Sequence, residues 1–220
     1  MAIDQEERIY LKKDCAVFKS THAQFGELSN MAANFPIFIN GYYIKTSEAI
    51  YQAMRYPHLP DIQKEILDQG SPMTAKMKSR KHYDKTRADW MLIRVPIMKW
   101  CLKVKFLFNK EKMISILQHT KDKAIVEESK KDSFWGAKPL EDGTLKGTNA
   151  LGRCIMELRE IALNDPQRLH FLNPPSISNF SLFNEPIGNI SAFDVEAETS
   201  NYKPAFTLDL LDKDHIKGTK

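Results

Sequence analysis

The sequence predicts one mixed domain, mostly helical with a few short strands, followed by an extension of different character. Three observations carry that expectation. Apolar residues recur at helical spacing in several windows, the longest running through Met91, Val95, Met98, Leu102 and Phe106. Asn40-Gly41, between two apolar and aromatic runs from Pro36 to Ile44, is a strong hairpin signal. After Asn164-Asp165-Pro166 the periodicity stops, and Pro174-Pro175, Pro186 and Pro204 punctuate scattered aromatics. The chain therefore divides into residues 1–164, the domain, and 165–220, a Pro-containing extension too apolar to be plainly disordered. That extension is expected to wrap on the domain or dock a partner.

In chain order, Cys15 to Lys19 reads as a short strand and the Asn40-Gly41 hairpin follows. Thr46 or Ser47 can cap the next helix, and Glu48 in its first turn suits the positive end of the helix dipole. Asp61 is expected to cap a short helix that Gly70 ends. Ser71-Pro72 starts another through Lys81, a cap followed by proline at the first helical position. Ala88 to Asn109 has helical spacing, with Pro96 as an expected kink. Met113, Ile114 and Leu117 mark a further helix, and Ile125-Val126-Glu127 a short strand before the loop Asp132-Ser133-Phe134-Trp135-Gly136. Gly143 and Gly147 punctuate a turn, and Leu151, Ile155, Leu158 and Ala162 stripe a last helix.

Composition bounds the functional classes. Lys and Arg exceed Asp and Glu by four, which permits an anionic ligand or nucleic acid without demanding one. Three cysteines with no Cys-x-x-Cys pair point to a reducing compartment. With no signal-peptide pattern around Asp4, Glu6 and Glu7, and no run long enough to span a membrane, a cytoplasmic protein without membrane partners is expected. The six histidines lie far apart, and neither Gly-x-x-x-x-Gly-Lys nor a strand-linked Gly-x-Gly-x-x-Gly is present, so no metal and no cofactor are expected.

Several residue sets could carry chemistry. Glu48, Tyr51, Gln52 and Arg55 share one helix face at i, i+3, i+4 and i+7. That row is either a solvated face, the usual meaning of a charged stripe, or one wall of a polar pocket. The basic run Lys76, Lys78, Arg80, Lys81, His82, Lys85, Arg87 is either a solvated helix end or a phosphate-steering patch. Trp90 and Trp135 read as core, although Trp135 before Gly136 in a loop suits a base-stacking platform. Gly147-Thr148-Asn149-Ala150-Leu151-Gly152 opens the last helix. It is either a phosphate cradle of free N–H groups beside Arg153, or an Asn149 cap with small residues for close packing.

Read in order, these segments resemble one family. Phe25-Gly26-Glu27-Leu28-Ser29-Asn30, Thr46-Ser47-Glu48 with Tyr51-Gln52-Ala53, Ser71-Pro72-Met73 with Ala75, Arg87 with Trp90, Lys105-Phe106, Val126-Glu127 with Asp132 and Trp135-Gly136, and Asn149 with Leu151-Gly152 and Met156-Glu157-Leu158-Arg159 look like the YbiA-like, or NADAR, proteins. The resemblance covers about Phe18 to Ile161. It implies an α+β, mainly helical fold and N-glycosidase chemistry on a phosphorylated ribose. The implied substrates are riboflavin-pathway intermediates or ADP-ribosylated guanine, and ADP-ribosylated nucleic acid is a possible partner. It also implies a carboxylate beneath the sugar, Glu48 first and Asp132 second. Phe25, Trp90 and Trp135 would grip the base, Asn30 and Asn149 orient hydroxyls, and Arg55, Arg87 and Arg153 hold phosphate. Gly26, Tyr51, Gln52, Gly136 and Gly152 complete the expected binding set. Ala49 and Arg55 stand where the family commonly has His and Lys. A lysine there could form a Schiff base with an opened ribose, and Arg55 cannot. A non-catalytic ADP-ribose or NAD module and a nucleic-acid binder are the competing classes.

Overall fold

The computed structural model describes residues 6–191 together with Phe193 and Val195. Expectations placed on Asp4, Pro204 and the rest of the chain beyond lie outside the described residues. The fold is α+β and mainly helical. Near the N-terminus lie strands β1 (Arg8–Leu11) and β2 (Cys15–Phe18), then the hairpin β3 (Ile37–Ile39) and β4 (Tyr42–Ile44). Asn40 and Gly41 turn that hairpin at φ 50° and 76°, the positive dihedrals a two-residue turn of this hand requires. Helices α1 (Ser47–Ala53), α2 (Pro60–Leu67), α3 (Pro72–Arg80), α4 (Trp90–Phe108) and α5 (Lys110–His119) follow. Strands β5 (Ala124–Glu127), β6 (Lys138–Pro139) and β7 (Thr144–Gly147) precede α6 (Ala150–Asn164). Four two-residue strands close the described chain: β8 (Phe171–Leu172), β9 (Ser181–Leu182), β10 (Glu185–Pro186) and β11 (Ile190–Ser191).

Local chemistry explains some of the helix starts. Ser71 and Thr74 form a reciprocal capping box at α3, with Pro72 as the first helical residue. The expected Asp61 cap is displaced by one turn position: Pro60 already has helical dihedrals, so Leu59 is the cap and Asp61 lies in the first turn. Helix α4 begins at Trp90 rather than Ala88 and carries Pro96 within its length.

Strand β2 pairs in parallel with β5, Phe18 opposite Glu127, while β1 joins β7 and β6 in an antiparallel sheet that the periodicity did not reveal. Alternation along β5 splits two cores. Ile125 faces the large one with α1, α4 and α6, and Val126 faces a smaller one with Tyr10, Ala137 and Leu145.

The segment from Leu169 to Ile190 belongs to the large core. Leu169, Leu172, Phe180, Leu182, Ile187 and Ile190 are buried in it, and the Trp100 and Phe180 rings meet edge to face at 4.9 Å. Gln63 of α2 fixes the same segment by donating to Ser181 O at 3.0 Å and accepting from Phe183 N at 2.8 Å. Among the described residues, no helix is long and apolar enough to cross a membrane.

Candidate functional site

Every residue of α1 is buried. The charged row is therefore a pocket wall and not a solvated face: Glu48 is 5% exposed, Tyr51 3% and Gln52 2%. Thr46 Oγ1 accepts from Ala49 N at 3.3 Å and starts the helix where the sequence indicated. Neighbouring groups fix the Glu48 carboxylate. Gln52 Nε2 donates to Oε1 at 2.8 Å, Asn30 Nδ2 to Oε2 at 3.3 Å, and Lys76 Nζ lies 4.0 Å from Oε1. The Gln52 amide is oriented in turn by Ser79 Oγ and Arg55 Nε, which donate to its oxygen at 2.8 and 3.0 Å. Arg55, just beyond the helix, lies over the Trp90 ring at 4.3 Å and the Tyr83 ring at 4.9 Å.

The segment carrying Asn30 is held from below. Lys105, fully buried, donates to Glu27 O at 2.6 Å and Ser29 O at 2.8 Å, and sits 4.4 Å from the centre of the Phe35 ring. Burial pulls its ammonium down to about 7.

The opposite wall comes from the end of β5 and the loop after it. Asp132 Oδ1 accepts from Phe134 N and Trp135 N, both at 2.9 Å, and so sets the loop that presents Trp135. Trp135 meets Tyr51 edge to face at 5.7 Å, and Arg94 of α4 stacks on Phe134 at 3.6 Å. Between the walls lies a cavity of about 270 Å³, lined by three acids (Glu48, Glu127, Asp132) and four cations (Arg55, Lys76, Arg80, Arg94). Burial, then the charges of Glu48 and Asp132, push the Glu127 carboxyl up to about 7 against the opposing pull of Lys76. Burial likewise raises the Tyr51 phenol well above its ordinary value. Tyr51 Oη and Asn30 Oδ1 are buried with no partner of their own, two polar atoms left for a ligand to satisfy.

Of the expected site residues, Glu48, Asp132, Asn30, Tyr51, Gln52, Arg55 and Trp135 line this cavity. The others do not. Arg87 pairs with Asp89 through two contacts of 2.6 and 3.0 Å and donates to Ser178 O, so it anchors the C-terminal segment rather than phosphate. Trp90 is buried beneath Arg55 as its stacking floor, and Phe25 packs against the core. Asn149 holds the N-cap position of α6, but its side chain makes no capping bond and does not line the cavity. Its side chain donates to Ile125 O at 2.8 Å and accepts from Glu127 N at 3.1 Å, stitching the helix start to β5.

The expected phosphate cradle at α6 is already occupied. Thr148 N, Ala150 N and Leu151 N donate to Ser133, Phe134 and Trp135 carbonyls, and Arg153 beside them is not a lining residue. Gly26, Gly136 and Gly152 serve close packing, because a Cβ at each would overlap the carbonyl of Ser20, Glu127 and Ile125 respectively. Sequence reasoning missed Glu127, Arg94, Tyr83, Lys76 and Arg80 as lining residues. A signal existed for two of them: Lys76 and Arg80 are four residues apart, on one face of α3, inside the basic run.

The NADAR domain family model matches residues 17–162. N-glycosidase YbiA of Escherichia coli (strain K12) is 34% identical over 143 residues, 65% of this chain and 85% of that protein. N-glycosidase Npun_R5314 of Nostoc punctiforme is 32% identical over 138 residues, 62% of this chain and 85% of its own. Riboflavin biosynthesis protein VVA0006 of Vibrio vulnificus is 34% identical over 131 residues, 58% of this chain and 34% of that longer protein. In three dimensions, the NMR structure of Escherichia coli YbiA aligns with a TM-score of 0.59 at 30% identity, covering 72% of this chain and 90% of that one.

Proposed function

The chain belongs to the NADAR domain family, and from that premise we propose that it is an N-glycosidase hydrolysing the bond between a base and a phosphorylated ribose. One observation carries the reading. A single cavity holds a fixed carboxylate, Glu48, on the same wall as a guanidinium, Arg55, that lies over two aromatic rings. Breaking an N-glycosidic bond builds positive charge on the ribose ring, which a carboxylate stabilises. The phosphate of the same substrate needs a cation some distance off. The Gln52 amide stands between the two, donating to Glu48 at 2.8 Å and accepting from Arg55 at 3.0 Å, and so spaces the guanidinium from the carboxylate along that wall.

In this reading Glu48 faces the anomeric carbon and takes a proton from the attacking water. Asn30 and Gln52 keep it aimed, so its geometry is settled before substrate arrives. Trp135 and Tyr51 supply aromatic surface for the base, and Arg55 with Arg80 and Arg94 receives phosphate. Because arginine stays protonated, no Schiff base forms at position 55. Two substrate classes suit these groups: ribosylamino-pyrimidine phosphates of riboflavin synthesis, and ADP-ribose linked to guanine, free or within nucleic acid.

Incubation with a ribosylamino-pyrimidine 5′-phosphate and with ADP-ribosylated guanosine, followed by chromatography of released base, separates them. Glu48→Gln is expected to keep ligand binding and lower turnover by at least about a hundredfold on whichever substrate reacts. Wild-type turnover in that variant contradicts the assignment of Glu48. Binding of ADP-ribose without release of base from either substrate marks a non-catalytic module instead.

A further inference from the structure

The cavity contains a second carboxyl whose surroundings differ from those of Glu48. Glu127 ends β5, and its backbone is fixed on three sides: Phe18 is its register partner, its N–H donates to Asn149 Oδ1, and its carbonyl accepts from Ala137 N at 2.8 Å. Strand alternation sends the next side chain to the other face. There Glu128 is neutralised by Lys12 and Lys19 at 2.6 and 3.0 Å. The Glu127 carboxyl points into the cavity, and among the described residues no group donates a hydrogen bond to it. Glu48 takes two amide donors, and Asp132 Oδ1 takes two backbone donors. Of the three lining acids, Glu127 is the one left to hold its own proton.

We propose that Glu127 is the general acid that protonates the departing base, working with Glu48 as the base that deprotonates water. The inference rests on the N-glycosidase reading above. Two carboxyl groups in one cavity serve opposite roles when their environments differ in this way. Charged neighbours face Glu127 from each side: Glu48 from α1 and Asp132 from the following loop favour its neutral form, and Lys76 from α3 opposes them. Arg94 of α4 lines the cavity too, stacked on Phe134. With burial added, the carboxyl titrates at about 7, where a group can both hold a proton and release it.

The step balances without a further reactant. The C1′–N bond breaks, its electron pair passes to the nitrogen of the base, and that nitrogen takes the Glu127 proton. Water oxygen bonds to C1′ and yields a proton to Glu48. The products are the free base and a ribose phosphate with a hydroxyl at C1′. Proton exchange with solvent then returns both carboxyls to their starting states.

The test compares two leaving groups in the full chain. An aminopyrimidine, in a ribosylamino-pyrimidine 5′-phosphate, leaves poorly unless protonated. A 4-nitrophenolate, in the 4-nitrophenyl riboside 5-phosphate, needs no proton. Glu127→Gln is expected to lower kcat at least about a hundredfold on the first substrate and less than about threefold on the second. Glu48→Gln is expected to be slow on both. The wild-type kcat on the aminopyrimidine substrate should fall as pH rises through about 7, because the acid must carry its proton. Full activity of Glu127→Gln on the aminopyrimidine substrate, equal losses on both substrates, or a wild-type kcat flat from pH 6 to 8 each overturns the assignment while leaving Glu48 and the N-glycosidase reading intact. A wild type that releases base from no ribosyl substrate overturns both.

Discussion

Arg55 is fixed by three contacts: a hydrogen bond from Nε to Gln52, and cation–ring contacts with Trp90 and Tyr83. A flat, delocalised cation fits that slot, and an ammonium on a flexible stem does not. Arg55→Lys is therefore expected to lose about 1–2 kcal/mol of substrate binding, read as a roughly tenfold rise in KM with kcat nearly unchanged. Borohydride should trap no adduct at residue 55 in either protein, which mass spectrometry of the digested chain can check. A variant that gained both activity and a trapped adduct would show that position 55 had lost a covalent step. Glu48, Gln52 and Arg55 were legible in the sequence because three-and-four spacing places them together whatever surrounds them. Glu127 stood in the Val126-Glu127 motif, but its place in the cavity was not legible, since an acid at a strand end looks the same whether a lysine or a cavity faces it. The strand partner and the lysines of Glu128 decide that, and both come from distant parts of the chain.

Among the elements, α6 was placed correctly from its apolar stripe, and of the two roles open to its N-terminus the structure shows the close packing of small residues. Spacing reveals a helix start and its free N–H groups, but not that a loop's carbonyls fill them. Those carbonyls couple α6 to Trp135, and Asn149 couples it to β5. Gly152 permits the approach, because a Cβ there would overlap Ile125 O and the Asn149 amide. Gly152→Ala is expected to destabilise the protein by about 2–3 kcal/mol, the scale of an overpacked core, measured by urea denaturation. Its effect on turnover should exceed that of an equally destabilising change elsewhere, since the strand that must shift carries Glu127. A variant as stable as the wild type would show that α6 and β5 can separate without cost. Strand β1 and its partner β7 illustrate the other limit of sequence reading: Arg8–Leu11 has one buried residue, so no alternation marks it, and only pairing makes it a strand.

Across the whole molecule, the family match ends at residue 162, but the large core does not. Division of the sequence into a domain, 1–164, and an extension implies that removal of everything after Asp165 leaves a folded core. The packing reverses that expectation. Truncation would strip Leu169, Leu172, Phe180, Leu182, Ile187 and Ile190 from the core and remove the Ser181 and Phe183 partners of Gln63 and the Ser178 partner of Arg87. At about 1.5 kcal/mol for each lost side chain, the total is comparable with the whole ordinary margin of stability, about 5–15 kcal/mol. The truncated chain is expected to be insoluble or to lack a cooperative melt by circular dichroism, while the full chain melts cooperatively. A soluble, cooperatively folded truncation would show that the segment only decorates the surface. The change of composition at Pro166 was visible in the sequence. That short two-residue strands and single aromatics there complete a core was not, because they carry no period to detect.

The parallel pairing of β2 with β5 joins register partners about a hundred residues apart. A contact so distant in the chain forms late, after the entropy of closing the loop between them has been spent. Helix α1, with Glu48, precedes that loop closure in sequence, whereas Glu127 reaches the cavity only through it. During synthesis Glu48 therefore leaves the ribosome well before Glu127. A chain in which β2 and β5 have not yet paired lacks the contact that brings Glu127 to the cavity opposite Glu48.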